Sequence, residues 1–154
     1  MNLLRPALLL PVAALALAAC DDDPSGPETQ VELAAIGGFA EPDVTVSLDD
    51  EELFVRIVTY GNPCTSRHHD DVDVDRTARE IVVRPYNEVE LTTCFMSLEE
   101  IPHELRVDID ESGEWLVRVI GVGMDGVDPG APQADTIVVE RSIAVDILIE
   151  NPNQ

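Results

Sequence analysis

The chain has 154 residues, with 31 acidic against 9 basic side chains and a formal charge of −22. Every basic residue is arginine. Such an excess excludes nucleic acid and anionic lipid headgroups as electrostatic partners, because both carry the same sign as the chain.

Residues 1–19 have the three parts of an export signal. Arg5 supplies the positive end, Leu8 to Ala19 is apolar apart from Pro11, and small Ala18 and Ala19 precede Cys20. The apolar run is about a dozen residues, short of the roughly 20 that a spanning helix needs. Leu17-Ala18-Ala19-Cys20 resembles the lipobox of bacterial lipoproteins. The resemblance implies cleavage before Cys20 and a diacylglycerol on its thiol, with further acylation. That makes a lipoprotein, with its membrane anchor on the extracytoplasmic side of a bacterial cell envelope. Two or three acyl chains anchor stably where one binds only marginally.

Without residues 1–19 the chain keeps eight arginines against 31 acidic residues, a net charge of −23, over 135 residues. That length supports one domain with a core, and so many like charges favour a soluble monomer. Residues 20–30 hold Asp21, Asp22, Asp23, Pro24, Gly26 and Pro27. They predict a flexible acidic tether that places the domain on the order of 15–20 Å from the bilayer.

From Val31 onward the hydrophobic period is two, the signature of strands. Val44, Val46 and Leu48 alternate with polar residues, and Asp49 to Glu52 makes a turn. Leu53 to Tyr60 is a strand ended by Gly61-Asn62-Pro63. Val72 and Val74 alternate with Asp71, Asp73 and Asp75 as a half-exposed strand. Ile81 to Arg84 is another, stopped by Pro85, and Val89, Leu91 and Thr93 form the next. Ser97 to Glu100 has capping-box spacing, but Pro102 limits it to a single turn, and His103 is expected in a loop. Leu105, Val107 and Ile109 alternate, then a turn leads into Trp115 to Ile120, with Trp115 in the core. Met124 to Ala134 reads as a loop, and Ile137 to Ile149 keeps one apolar face broken only by Arg141. Eight or nine strands with turn signals every 8–12 residues predict one β-sandwich domain over residues 31–151.

Glu111-Ser112-Gly113-Glu114-Trp115-Leu116-Val117 resembles the start of strand F in immunoglobulin-like domains. The resemblance implies an all-β, immunoglobulin-like sandwich of about seven to nine strands. Leu105 to Ile109 would be strand E, Gly121 to Thr136 the F–G loop, and Ile137 onward strand G. Trp115 stands where that family has a tyrosine and Val117 where it has a cysteine. The corner hydrogen bond from a phenol and the inter-sheet disulfide are therefore not expected, which is nearer the fibronectin type. The resemblance implies a fold and no chemistry.

Cys64 and Cys94 form an even pair which, in an oxidising compartment, most simply makes a disulfide. The other reading is metal ligation with His68, at Cys-x-x-x-His spacing. His68, His69, Asp71, Asp73 and Asp75 form the densest polar cluster. They are candidate ligands for Ca²⁺ or a transition metal, or the charged, solvated face of an edge strand. An EF-hand beginning at Asp71 fails, since Arg76 and Val82 stand where a glycine and a glutamate are needed. Asp125, Asp128 and Asp135 are a second, weaker acidic group in the loop before the last strand.

There is no Gly-x-Ser-x-Gly, and without lysine no Ser-x-x-Lys. The chain is therefore expected to be no enzyme and to need no cofactor. It reads as a lipid-anchored binding or structural module for a protein or polysaccharide partner. The alternative is a divalent-cation-binding envelope protein using residues 68–75.

Overall fold

A computed structural model of the chain describes residues 26–37, 41–49, 52–123 and 135–146. The expected export signal, Cys20, Asp125, Asp128, Ile147 and Ile149 lie outside the described residues. Within them the chain is all-β, with nine strands and no helix. These are β1 (Thr29–Leu33), β2 (Ala35–Gly37), β3 (Val44–Asp49), β4 (Glu52–Gly61), β5 (Thr65–Asp75), β6 (Glu80–Glu90), β7 (Glu99–Asp108), β8 (Gly113–Gly123) and β9 (Thr136–Val145).

Hydrogen bonds join all nine strands into one sheet, in the order β1-β6-β8-β2-β4-β3 with β5 on β6, β7 on β4 and β9 on β8, and two groups can be told apart within it. β4 carries β3 on one edge and β7 on the other, both antiparallel. β6 pairs with β5 antiparallel and with β8 parallel, and β8 continues to β9 antiparallel. β6 and β8 run the same way because β7, between them in sequence, crosses to β4 and the chain then returns. β1 and β2 stitch the groups together. β1 lies along the last part of β6, whereas β2 pairs with both β8 and β4. The change of partner happens at Ala34, whose N–H donates to Pro85 O at 2.9 Å and whose carbonyl accepts from Val122 N at 3.0 Å.

The alternation read in the sequence has a physical end point. Leu53, Val55 and Ile57 of β4 and Val107 of β7 meet Ile81 and Val83 of β6 and Trp115, Val117 and Val119 of β8 in one buried cluster. Val139 and Val145 of β9 join it. Each such side chain contributes roughly 1.5–3 kcal/mol on leaving water. The backbones of β2 and β8 come so close that a Cβ on Gly121 would lie 2.7 Å from Ile36 and 2.8 Å from Ala34 O. Trp115 is fully buried, as expected, and its indole Nε1–H donates to Glu111 O at 3.1 Å.

Three readings of the sequence give way. Pro85 does not stop a strand: β6 runs through it from Glu80 to Glu90. A residue's N–H and C=O face the same edge of a strand, and Pro85 O faces Ala34. The missing N–H therefore falls at the junction where β6 has left β8, after Val83, and not yet met β1, at Tyr86. Glu99 and Glu100 open β7 instead of forming a helical turn, and Pro102 is tolerated because β7 is hydrogen-bonded along one edge only. The expected tether loses Thr29 and Gln30 to β1.

Candidate functional site

The polar centre of the domain lies where the free edges of β5 and β7 meet. The two strands are neighbours joined by no backbone ladder. β5 carries a bulge between Arg67 and His69, leaving His68 as the extra residue. A bulge re-aims the side chains around it. Past it, Asp70 points inward, with only 6 % of its side chain exposed, while Asp71, Asp73 and Asp75 face water.

From Asp70 a chain of hydrogen bonds runs through the buried interior. Asp70 Oδ1 meets His103 Nδ1 at 2.6 Å, and His103 Nε2 meets Asn87 Oδ1 at 2.9 Å. Asn87 Nδ2 donates to Thr59 Oγ1 at 3.1 Å, and Thr59 Oγ1 donates to Ile101 O at 3.0 Å. At the outer end Arg67 Nη2 donates to Asp70 Oδ2 at 2.6 Å and to Glu104 O of β7 at 3.2 Å. Thr59 (β4), Asn87 (β6) and His103 (β7) are all buried, and among the described residues no buried side-chain nitrogen or oxygen lacks a partner. A polar group unpaired at this depth costs about 1–3 kcal/mol, so completeness matters.

Bond directions assign the protons. Ile101 O can only accept, so Thr59 gives it its one proton and must accept from Asn87. Asn87 then turns its carbonyl toward His103 Nε2, which must donate. Burial raises the Asp70 carboxyl, but the hydrogen bonds and charges of His103 and Arg67 outweigh it and hold the group below the usual carboxylate range. An ionised Asp70 accepts, so Nδ1 also donates. His103 is thus seated between a carboxylate and an amide, with both ring nitrogens engaged. Buried and engaged at both nitrogens, it cannot take a proton from a bound substrate as a general base must. The chain of bonds spans β5, β6, β7 and β4, and it fastens side chain to side chain where the backbone ladder is missing.

The expected ligand cluster does not come together. His68 and His69 touch through their Nδ1 atoms, and His69 stacks on Tyr86 with ring centroids 4.8 Å apart. His69 Nε2 stands 3.6 Å from Asp71 Oδ1. Asp73 is held by Arg84 at 2.7 Å, and Asp75 Oδ1 accepts from Ala78 N at 2.9 Å in the β5–β6 turn. Among the described residues no three His, Cys, Asp or Glu side chains converge on a point that could hold a metal ion. Cys64 and Cys94 form a disulfide with Cα atoms 6.1 Å apart. That overturns the alternative in which Cys64 and Cys94 hold a metal together with His68. Asp135 is exposed at the start of β9.

His103 was read as a loop histidine; it lies in a strand, fully buried. The signal for it is parity. Ile101, His103, Leu105 and Val107 share one face, as do Leu53, Val55, Ile57 and Thr59, and Ile81, Val83, Pro85 and Asn87. Each set places one polar residue on an apolar stripe. No protein-family model, curated protein sequence or solved structure matches the chain.

Proposed function

We propose that the chain is a lipid-anchored module of a bacterial cell envelope that holds a protein or polysaccharide partner and catalyses no reaction. The observation that carries this reading is the closure of the buried Asp70–His103–Asn87–Thr59 chain. Each of its members is spent on another. The Cys64–Cys94 bridge suits an oxidising, extracytoplasmic compartment. The Leu17 to Cys20 resemblance supplies the anchor.

The two strand groups that share one core support a β-sandwich. An immunoglobulin-like character draws support from β7, β8 and β9 lying where strands E, F and G were expected. It also draws support from the Trp115 indole, which reaches back to Glu111 O much as the corner tyrosine of that family reaches upstream. The parallel pairings of β8 with β6 and β2 depart from the all-antiparallel sheets of that family.

The test is expression with the native export signal in a bacterium, followed by membrane fractionation, intact mass and cross-linking on whole envelopes. The expected result is a membrane-bound protein with an acylated Cys20 that cross-links to an envelope component, and a Cys20→Ser variant released from the membrane. An unmodified Cys20 in the soluble fraction would sink the anchor. A purified protein that turns over a substrate would sink the non-catalytic role.

A further inference from the structure

The chain between β6 and β7 is out of character with the rest of the molecule. Leu91 to Leu98, LTTCFMSL, carries no charged side chain in a protein with 26 % charged residues. Its large apolar side chains point into water: Phe95 is 87 % exposed and Met96 100 %, with Leu91 and Leu98 both exposed. Val31 of β1 adds to the same end of the molecule. Cys94, next to Phe95 in the middle of this loop, is tied to Cys64 in the β4–β5 turn, so the apolar tip is presented on a covalent brace.

Its position indicates what covers it. Leu91 N donates to Glu28 O at 2.7 Å, and Thr29 pairs with Glu90. The apolar tip therefore lies beside the point where the chain leading from Cys20 joins the fold. Eight peptide steps separate Cys20 from Glu28. They span about 29 Å when fully extended and on the order of 16 Å as a random coil. A lipid on Cys20 would tether the domain to the bilayer at this pole. The β5–β6 turn lies at the far end of β6, about 33 Å away.

We infer that the loop Leu91–Leu98 is a second membrane contact, inserting Phe95 and Met96 into the interfacial region of the lipid bilayer that carries the anchor. This rests on the lipid-anchored reading and goes beyond it by fixing the orientation of the domain. Aromatic and apolar side chains at a membrane surface work through burial and need no cationic partner. An acidic domain can therefore use them, and it does so best on zwitterionic lipid. Glu90, Glu99 and Glu100, which flank the loop, stay in the headgroup water.

The experiment uses the full lipidated chain, purified from membranes and reconstituted into phosphatidylcholine vesicles with or without bromine on the acyl chains. Phe95→Trp places a fluorophore at the tip, and Thr77→Trp places one in the exposed β5–β6 turn. The unsubstituted protein gives the background from buried Trp115. Flotation with the vesicles reports the anchor separately from the loop. The expected result is that both variants float, that Phe95→Trp emission shifts to the blue and is lost in brominated vesicles, and that Thr77→Trp emission is unchanged. Flotation with an unquenched Phe95→Trp, or with both probes quenched alike, would overturn the inference while leaving the anchor standing. A blue shift that appears only on adding envelope protein would replace the bilayer with a protein partner. A chain that does not float at all removes the anchor and this contact together.

Discussion

The imidazole of His103 has no exposed surface, and the carboxylate it meets is Asp70. Removing one member of such a buried, hydrogen-bonded pair costs more than the pair contributes, because the other group stays buried with its partner gone. We expect Asp70→Asn to lose about 3 kcal/mol of stability at neutral pH. The pH dependence has a definite sign. The folded Asp70 carboxyl is held low, so its contribution is complete above the ordinary carboxylate value of about 3.9 and drains away as pH falls through the folded value. Denaturant titrations from neutral to acid pH should show that loss in the native protein and a flatter acid limb in Asp70→Asn. An identical acid limb in both would mean that the carboxylate is not ion-paired in solution. Only one member of this centre fell within the stretch that the sequence singled out. Asp70 lies within residues 68–75, but period-two counting favoured Asp71, Asp73 and Asp75, because no local signal announces the bulge at His68. His103, Asn87 and Thr59 break apolar parity in three strands far apart in sequence. That they meet depends on strand order, which no single strand encodes.

The strands themselves were easier to read than their limits. Alternation reports which face of a strand is buried, and it located the strands from β3 onward. It failed at Pro85 and Pro102, where proline reads as a breaker whatever the partner edge is doing. A missing N–H costs a ladder bond only where a neighbour waits for it, and at both residues none does. β5 was read as a half-exposed strand or the charged face of an edge strand, and it lies at an edge, with Val72 and Val74 each 38 % exposed and its outer charges opposing edge-to-edge pairing. The Cys64–Cys94 bridge closes the excursion made by β5, its turn and β6, a sequence separation of 30. In the chain-entropy account a loop of that size is worth about 3.5 kcal/mol. Replacing both cysteines by serine should lower the unfolding free energy in water by about that amount, read as a lower urea midpoint. A midpoint that does not move would show that the ladders of β6 already hold the loop without it.

Seen whole, the molecule sets few positive charges among many negative ones. Of the eight arginines after Arg5, six are paired with carboxylates. Arg118 reaches from β8 to Glu80 on β6 and Glu140 on β9, and Arg106 reaches Asp49 and Glu52. Exposed pairs of this kind are worth little each, on the order of 0–1 kcal/mol. Self-repulsion of a chain at −22 acts on every charge at once and weakens as salt shortens the screening length. The melting temperature should therefore rise from low to moderately high ionic strength; a fall would mean that the arginine clamps outweigh the repulsion. The continuous segment β1–β2 has a mechanical consequence. A protein held at its N-terminal end receives any pull along β1, whose five register pairs with β6 are loaded in shear. Beyond Ala34 the same segment is threaded between β8 and β4, so tension that frees the first stretch meets a second grip on different strands. Such a domain would give way under force in two steps, and the load would reach its core last.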